Sequence, residues 1–378
     1  MKSIFKLLLA TAVIFVYSAC HKEGNLPLYG KGNAVVLSSS SNTIAPVATD
    51  SNYNAVTFSW TNPKYQQDTS LYKFIIQMDS AGKNFAHPIN LKTVVGTFSG
   101  SIVAKDLNAM LFSMGFLPTI TYGIDVRVIS SYGNSNESYT SNTIQLQVTP
   151  YKVPPKIPVP AHLYLVGDLN SWNNSTSLEK KWWFSQIDET TYAGIFYFPG
   201  GGGYKLIQEL GNWDTQYHMV LGGSYDAGSF IQENADPTFP GAPAAGWYRV
   251  TVDFQHGTYS VKSSPARQAV PPANLYLVGD LNGWNNSTSL DPSYKFTLSA
   301  SDPFVYTLNV NFPGGGGYKL IQELGNWTTQ FHMISGGTSS FGEFEQADAD
   351  PTFPGPSTAG AYKVTVNMAA GYFWVKPQ

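Results

Sequence analysis

A chain of 378 residues has room for two to four domains at roughly 100–200 residues each. Only 12% of its residues are charged, the net charge is -3 and there is one cysteine, which excludes a nucleic-acid footprint, a disulfide scaffold and a Cys-ligated zinc. Aromatic residues reach 14%, and 35 glycines with 24 prolines favour turns over long helices, so the composition describes a turn-rich, weakly charged β protein.

The chain opens with Lys2 and Lys6, followed by an apolar stretch from Leu7 to Val16. That stretch is too short to span a bilayer but fits the apolar region of a signal peptide. It runs into Tyr17-Ser18-Ala19-Cys20, with small residues just before the only cysteine. The pattern resembles a bacterial lipoprotein signal, 1–19, which implies that Cys20 is lipidated and begins the mature chain. The expected anchorage is therefore a lipid in the outer membrane, with the protein facing the cell exterior.

Residues 20–151 read as a leading all-β domain. Val56–Trp60, Tyr72–Met78 and Gly123–Ile129 alternate or run apolar, and Asp106–Met114 is the one helical pattern, with Asp106 as its expected N-cap. Trp60 reads as a core residue of an immunoglobulin or fibronectin III-like sandwich. No chemistry is legible here.

Two proline-rich segments follow, 152–160 and 263–272, and read as semi-rigid spacers. Each precedes a copy of one module, 161–264 and 273–378. Leu163–Leu178 and Leu275–Leu290 differ at one position in sixteen, and Phe198–Met219 and Phe312–Met333 at two in twenty-two. By contrast, 179–197 and 291–311 share almost nothing. Period-2 alternation and frequent turn signals predict a β-sandwich for each copy. The glycine runs 200–203 and 314–317 read as hairpin turns.

The near-identical blocks gather Trp172, Lys205 and Trp213 in the first copy, and Trp284, Lys319 and Trp327 in the second. Trp172 lies in a polar loop after a short strand, Lys205 on the strand YKLIQ, and Trp213 in the turn beyond it. Aromatic planes beside fixed polar groups suit a sugar, whose C–H face is apolar and whose hydroxyls need hydrogen bonds. Gln208, Asn212 and Gln216, with Gln322, Asn326 and Gln330, are candidates for further hydrogen bonds. His218 and His332 read as structural. Trp182, Trp183, Trp247 and Trp374 have no twin and read as packing residues. The repeated acids Asp168/Asp280 and Asp236/Asp350 sit in turn contexts, and no nucleophile elbow or HExxH motif occurs, so an enzyme is not expected. No cofactor or metal is expected, since the six histidines form no i, i+4 pair.

The lipoprotein cysteine, the FSWTNP strand of the leading domain and the tandem GxxNxW…YK…W modules together resemble the SusE/SusF outer-membrane lipoproteins. Each module is also similar to the starch-binding modules appended to glucoamylases. The resemblance implies three tandem β-sandwiches and non-catalytic binding of starch or another α-glucan. It implies a TonB-dependent transporter and a companion glycan-binding lipoprotein as partners. It also places the stacking rings at Trp172, Trp213, Trp284 and Trp327, and a hydroxyl donor at Lys205 and Lys319. A structural or adhesive surface protein and a binder of another glycan are the alternatives.

Overall fold

The computed structural model describes residues 30–66, 68–267, 271–349 and 351–378. The signal segment, Cys20 and Asp350 lie outside the described residues. Among the described residues no helix is long and apolar enough to cross a membrane. The chain is nearly all β and divides into two compact units, Met1–Pro154 and Pro155–Gln378.

In the first unit, a three-stranded sheet (Leu37–Ser39, Asn54–Trp60, Ser99–Val103) and a six-stranded sheet, in which Lys73–Ser80 pairs Tyr122–Ser131, enclose one apolar core. Alternation along these strands sends Val56, Phe58 and Trp60 inward, and Trp60 is buried against Phe74 with ring centroids 5.1 Å apart. The helix spans Ala104–Ser113, with Val103 at the N-cap. Asp106 therefore sits in the first turn, where its charge meets the positive end of the helix dipole, and not at the cap as its sequence context suggests.

In the second unit each repeat builds a nine-stranded sheet folded over its own core, and the strand order is the same in both. In the first repeat Tyr164–Gly167 pairs Gly203–Ile207, which pairs Gln216–Met219, while Thr191–Phe198 lies on the opposite layer against Gly246–Asp253. The glycine run 200–203 therefore links strands of opposite layers and is not a hairpin. It takes φ of +105°, +73° and +79° at Gly200–Gly202 and is held by Gly201 N donating to Ala242 O and Gly241 N to Gly202 O. The proline-rich segments are not solvated spacers throughout. Lys156 N and Ile157 N bond to Gln255 O and Phe254 O, Ile157 joins the core of the first repeat, and the Tyr192 hydroxyl donates to Pro160 O at 2.6 Å. Arg267, in the second segment, is buried. Lys156, Ile157, Pro160 and Arg267 are thus held by the second unit and are not solvated spacer residues.

The two repeats meet through different faces. Ile195 N donates to Ala369 O, Arg249 Nε to Ala370 O at 2.7 Å, and Arg249 Nη1 pairs with Glu343 at 2.6 Å while its guanidinium covers the Tyr372 ring at 4.4 Å. Asn367 Nδ2 donates to Ser185 Oγ, whose hydroxyl donates to Asp302. Trp183 packs on the core of the second repeat. Arg249 is buried and Glu343 half-exposed. Arg249→Ala is expected to destabilise the unit by about 1–3 kcal/mol. Glu343→Gln should cost less than about 1 kcal/mol, because that partner keeps much of its water. Urea unfolding of the full chain measures both.

A paired tryptophan cleft in each repeat

On the strand Gly203–Ile207, Tyr204 and Leu206 enter the main core, so Lys205 and Ile207 face outward. Ile207 does not meet water there. It joins Tyr164, Val166 and Leu178 in a satellite core under the loop that carries Trp172, and Val278, Leu290 and Ile321 repeat this under Trp284. The loop thus has an apolar footing on the outer sheet face. Gly167 allows the two strands to close beside it, since a Cβ there would lie 2.4 Å from Gly203 O.

After Gly167 the chain turns through Asp168–Asn170 and enters the left-handed region at Ser171 (φ +53°) and Trp172 (φ +57°). Gly283 (+63°) and Trp284 (+56°) match them. A bulky side chain at positive φ is strained by about 1–3 kcal/mol and must be held. Trp172 N bonds to Gly167 O, and the indole Nε1 donates to Asp168 Oδ1 at 2.9 Å. The other oxygen of Asp168 accepts from Gly203 N at 2.6 Å. Asp280 makes the same two bonds to Trp284 and Gly317, at 2.8 and 2.6 Å. The Gly203 amide and the indole N–H hold the Asp168 carboxyl below its ordinary range, and Gly317 and Trp284 do so for Asp280.

The turn bearing Trp213 is latched to this loop by Gly211 N, which bonds to both the main-chain oxygen and Oδ1 of Asn174; Asn286 Oδ1 accepts from Gly325 N in the second repeat. Asn212 Oδ1 accepts from Asp214 N and its Nδ2 donates to Glu209, and Asn326 does likewise with Thr328 and Glu323. These two asparagines shape the turn that carries the ring. The result is a pair of indoles, Trp172 and Trp213, with centroids 6.4 Å apart and planes at 47°; Trp284 and Trp327 stand at 6.4 Å and 44°. Trp213 is 36% exposed and Trp327 38%.

The rings of the first repeat border an open cleft of about 510 Å³ whose wall also includes Lys205, Gln216, Asn234 and Asp236. Lys205 is buried, with Nζ donating to Ala235 O at 2.7 Å and pairing with Asp236 at 3.2 Å. Those two contacts leave one of its three N–H donors for another group. Lys319 donates to Ala349 O in the same way. Gln216 gives its amide N–H to Asn234, which in turn donates to Asp214, while Gln330 donates to Asp348. In both glutamines Oε1 is buried and has no hydrogen-bond partner within the chain. Gln208 lies elsewhere, accepting from the Tyr217 hydroxyl, and Gln322 donates to Thr329 O. His218 and His332 are buried, each with Nδ1 on the main-chain oxygen of the next residue. Among the described residues no group of three or more His, Cys, Asp or Glu is placed to hold a metal ion.

The sequence reading missed Asn174 and Asn234, because asparagine in a polar loop carries no signal that separates a latch from solvated surface. Trp182, expected as a packing residue, does pack on the core of the first repeat, and with Trp247, Tyr197 and Arg267 it also lines a second pocket there.

The Asp168 and Asp280 carboxylates have depressed pKa values in the folded chain. Their contribution is complete above the ordinary carboxylate pKa of about 4 and is lost as pH falls through the lower folded value. The near-UV circular dichroism of the tryptophan pairs is expected to hold from neutral pH down to about pH 4 and to collapse below it. Asp168→Ala with Asp280→Ala should show the collapsed signal at neutral pH. Ser171→Gly is expected to stabilise the first repeat by up to about 1 kcal/mol, since glycine enters the left-handed region without the Cβ penalty. Thermal unfolding measures that gain.

Residues 22–129 match the family described as SusE outer membrane protein, and residues 161–263 match a domain of unknown function (DUF8037). Among solved structures, SusF from Bacteroides thetaiotaomicron is 14% identical, covering 92% of this chain and 77% of that one at a TM-score of 0.35. A starch-binding domain structure, that of AmyP-SBD in a ligand-induced form, is 18% identical over 30% of this chain and 79% of its own, at a TM-score of 0.23. No curated protein matches the chain. The match to the SusE model lies within the leading domain of the chain.

Proposed function

We propose that the protein is a non-catalytic glycan-binding lipoprotein of the outer membrane, anchored through Cys20, that retains starch or malto-oligosaccharide for an uptake system. The observation that carries this reading is the pair of half-exposed, mutually tilted indoles beside a buried lysine, present twice. Planes inclined by 47° and 44° suit successive rings of a curved α-1,4-glucan better than a flat chain. Trp172 and Trp213, with Trp284 and Trp327, stack on the sugar faces. Lys205 and Lys319 donate to hydroxyls, and Oε1 of Gln216 and Gln330 accepts from them. The domain limits 20–151, 161–264 and 273–378, a TonB-dependent transporter and a companion glycan-binding lipoprotein belong to the same proposal.

Two rings covering about 150–200 Å² of sugar at about 25 cal/mol/Å² contribute roughly 4–5 kcal/mol before the entropy of association is subtracted. Each cleft is therefore weak, in the micromolar to millimolar range. Two clefts on one chain raise avidity for a polymer by about 10²–10⁴.

Affinity electrophoresis in amylopectin tests the reading. The intact protein is expected to be retarded, and the double variant Trp213→Ala, Trp327→Ala to run free. Unretarded migration of the intact protein in every α-glucan tried would favour the structural or adhesive alternative. Release of reducing sugar from the same polymers would overturn the non-catalytic assignment.

A further inference from the structure

We propose that the first repeat holds a second binding pocket, apart from its tryptophan cleft, for a ring-shaped ligand that bears a carboxylate, in the chemical class of a uronic acid. The pocket has a volume of about 370 Å³, near the lower end for small-ligand sites, and its walls include Trp182, Tyr197, Trp247, Lys181 and Arg267. Tyr197 is 46% exposed and meets Trp247 edge-on at 5.6 Å. Such an exposed aromatic corner gives the apolar face of a sugar ring something to pack on.

The charge of the pocket distinguishes this ligand from the neutral glucan of the clefts. Arg267 is buried, and its guanidinium lies over the Phe304 ring at 4.3 Å. Nη1 makes two long contacts, 3.3 Å to Lys181 O and 3.4 Å to Ile195 O, while Nε and Nη2 have no hydrogen-bond partner within the chain. Burial pulls its pKa down to about 10, so it stays charged at neutral pH. The nearby Asp302 is already engaged, accepting from the Ser185 hydroxyl and from Phe304 N. A buried guanidinium with unmet donors favours a carboxylate, which it binds with two parallel hydrogen bonds. Asp168, the one acid on the pocket wall, has both oxygens committed to Trp172 and Gly203.

The aromatic corner has no counterpart at the matching positions of the second repeat. Where Tyr197 pairs with Trp247, the second repeat pairs Asn311 with Ala361, and Tyr294 ends the short turn that Trp182 ends in the first. Duplication kept both clefts while one copy gained or retained this aromatic corner.

Glucuronate and glucose separate the charge from the ring, since they differ only in a carboxylate against a hydroxymethyl at C6. Titrated calorimetrically into the full chain carrying Trp213→Ala and Trp327→Ala, glucuronate is expected to bind at least tenfold more tightly than glucose. Trp247→Ala and Arg267→Gln, each added to that background, should weaken glucuronate at least tenfold, and Trp247→Ala tests the pocket even if Arg267→Gln unsettles the fold. Equal binding of the two sugars, no binding of glucuronate at millimolar concentration, or undiminished binding in the Trp247→Ala variant would each overturn the proposal. None of these outcomes bears on the amylopectin result, which reports the clefts alone.

Discussion

The clefts depend on one carboxylate doing two things at once. Asp168 fixes the Trp172 indole through Oδ1 and the first amide of the lysine strand through Oδ2, and Asp280 repeats both bonds. Without that bridge the left-handed backbone at Trp172 would have little to oppose its strain, and the ring would lose its fixed angle to Trp213. The strain is carried by bonds outside the strained residues: the Asp168 bridge, the Asn174 latch and the satellite core around Ile207. A site held in this way is set before any ligand arrives, so association does not have to order the loops.

The two copies diverge where their neighbours differ. Segments 163–178 and 198–219 build the cleft, and each copy needs the same geometry there. Segment 179–197 of the first repeat lies against the second repeat and lines the aromatic pocket, and 291–311 of the second repeat meets it through Asp302. The contact is heterologous: Ile195 and Arg249 of one copy meet the Ala369–Gly371 turn of the other, so equivalent surfaces are under unequal constraints.

Much of the fold was legible because it follows from alternation. Burial of Trp60, the outward direction of Lys205 and the strand at Gly203–Ile207 all follow from side chains pointing to opposite faces at each step. The Asp106 cap, the glycine hairpin and the semi-rigid spacers were misread for a shared reason. Each needs the position of a partner strand or surface, and local composition does not contain it. Gln208 and Gln216 look equivalent in the chain, yet one bonds to Tyr217 and the other lines the cleft.

The sequence alone determined the all-β class, the duplication and the residue types that meet in each copy, because strand periodicity and repeated blocks are properties of the chain. Only the tertiary structure decided that the indoles stand 6.4 Å apart at a fixed tilt. It also decided that Lys205 is tied to Ala235 and Asp236, and that Arg267 lies buried beside an aromatic pocket. Those facts depend on contacts between residues thirty or more apart in the chain, and such distances are set by how the layers pack.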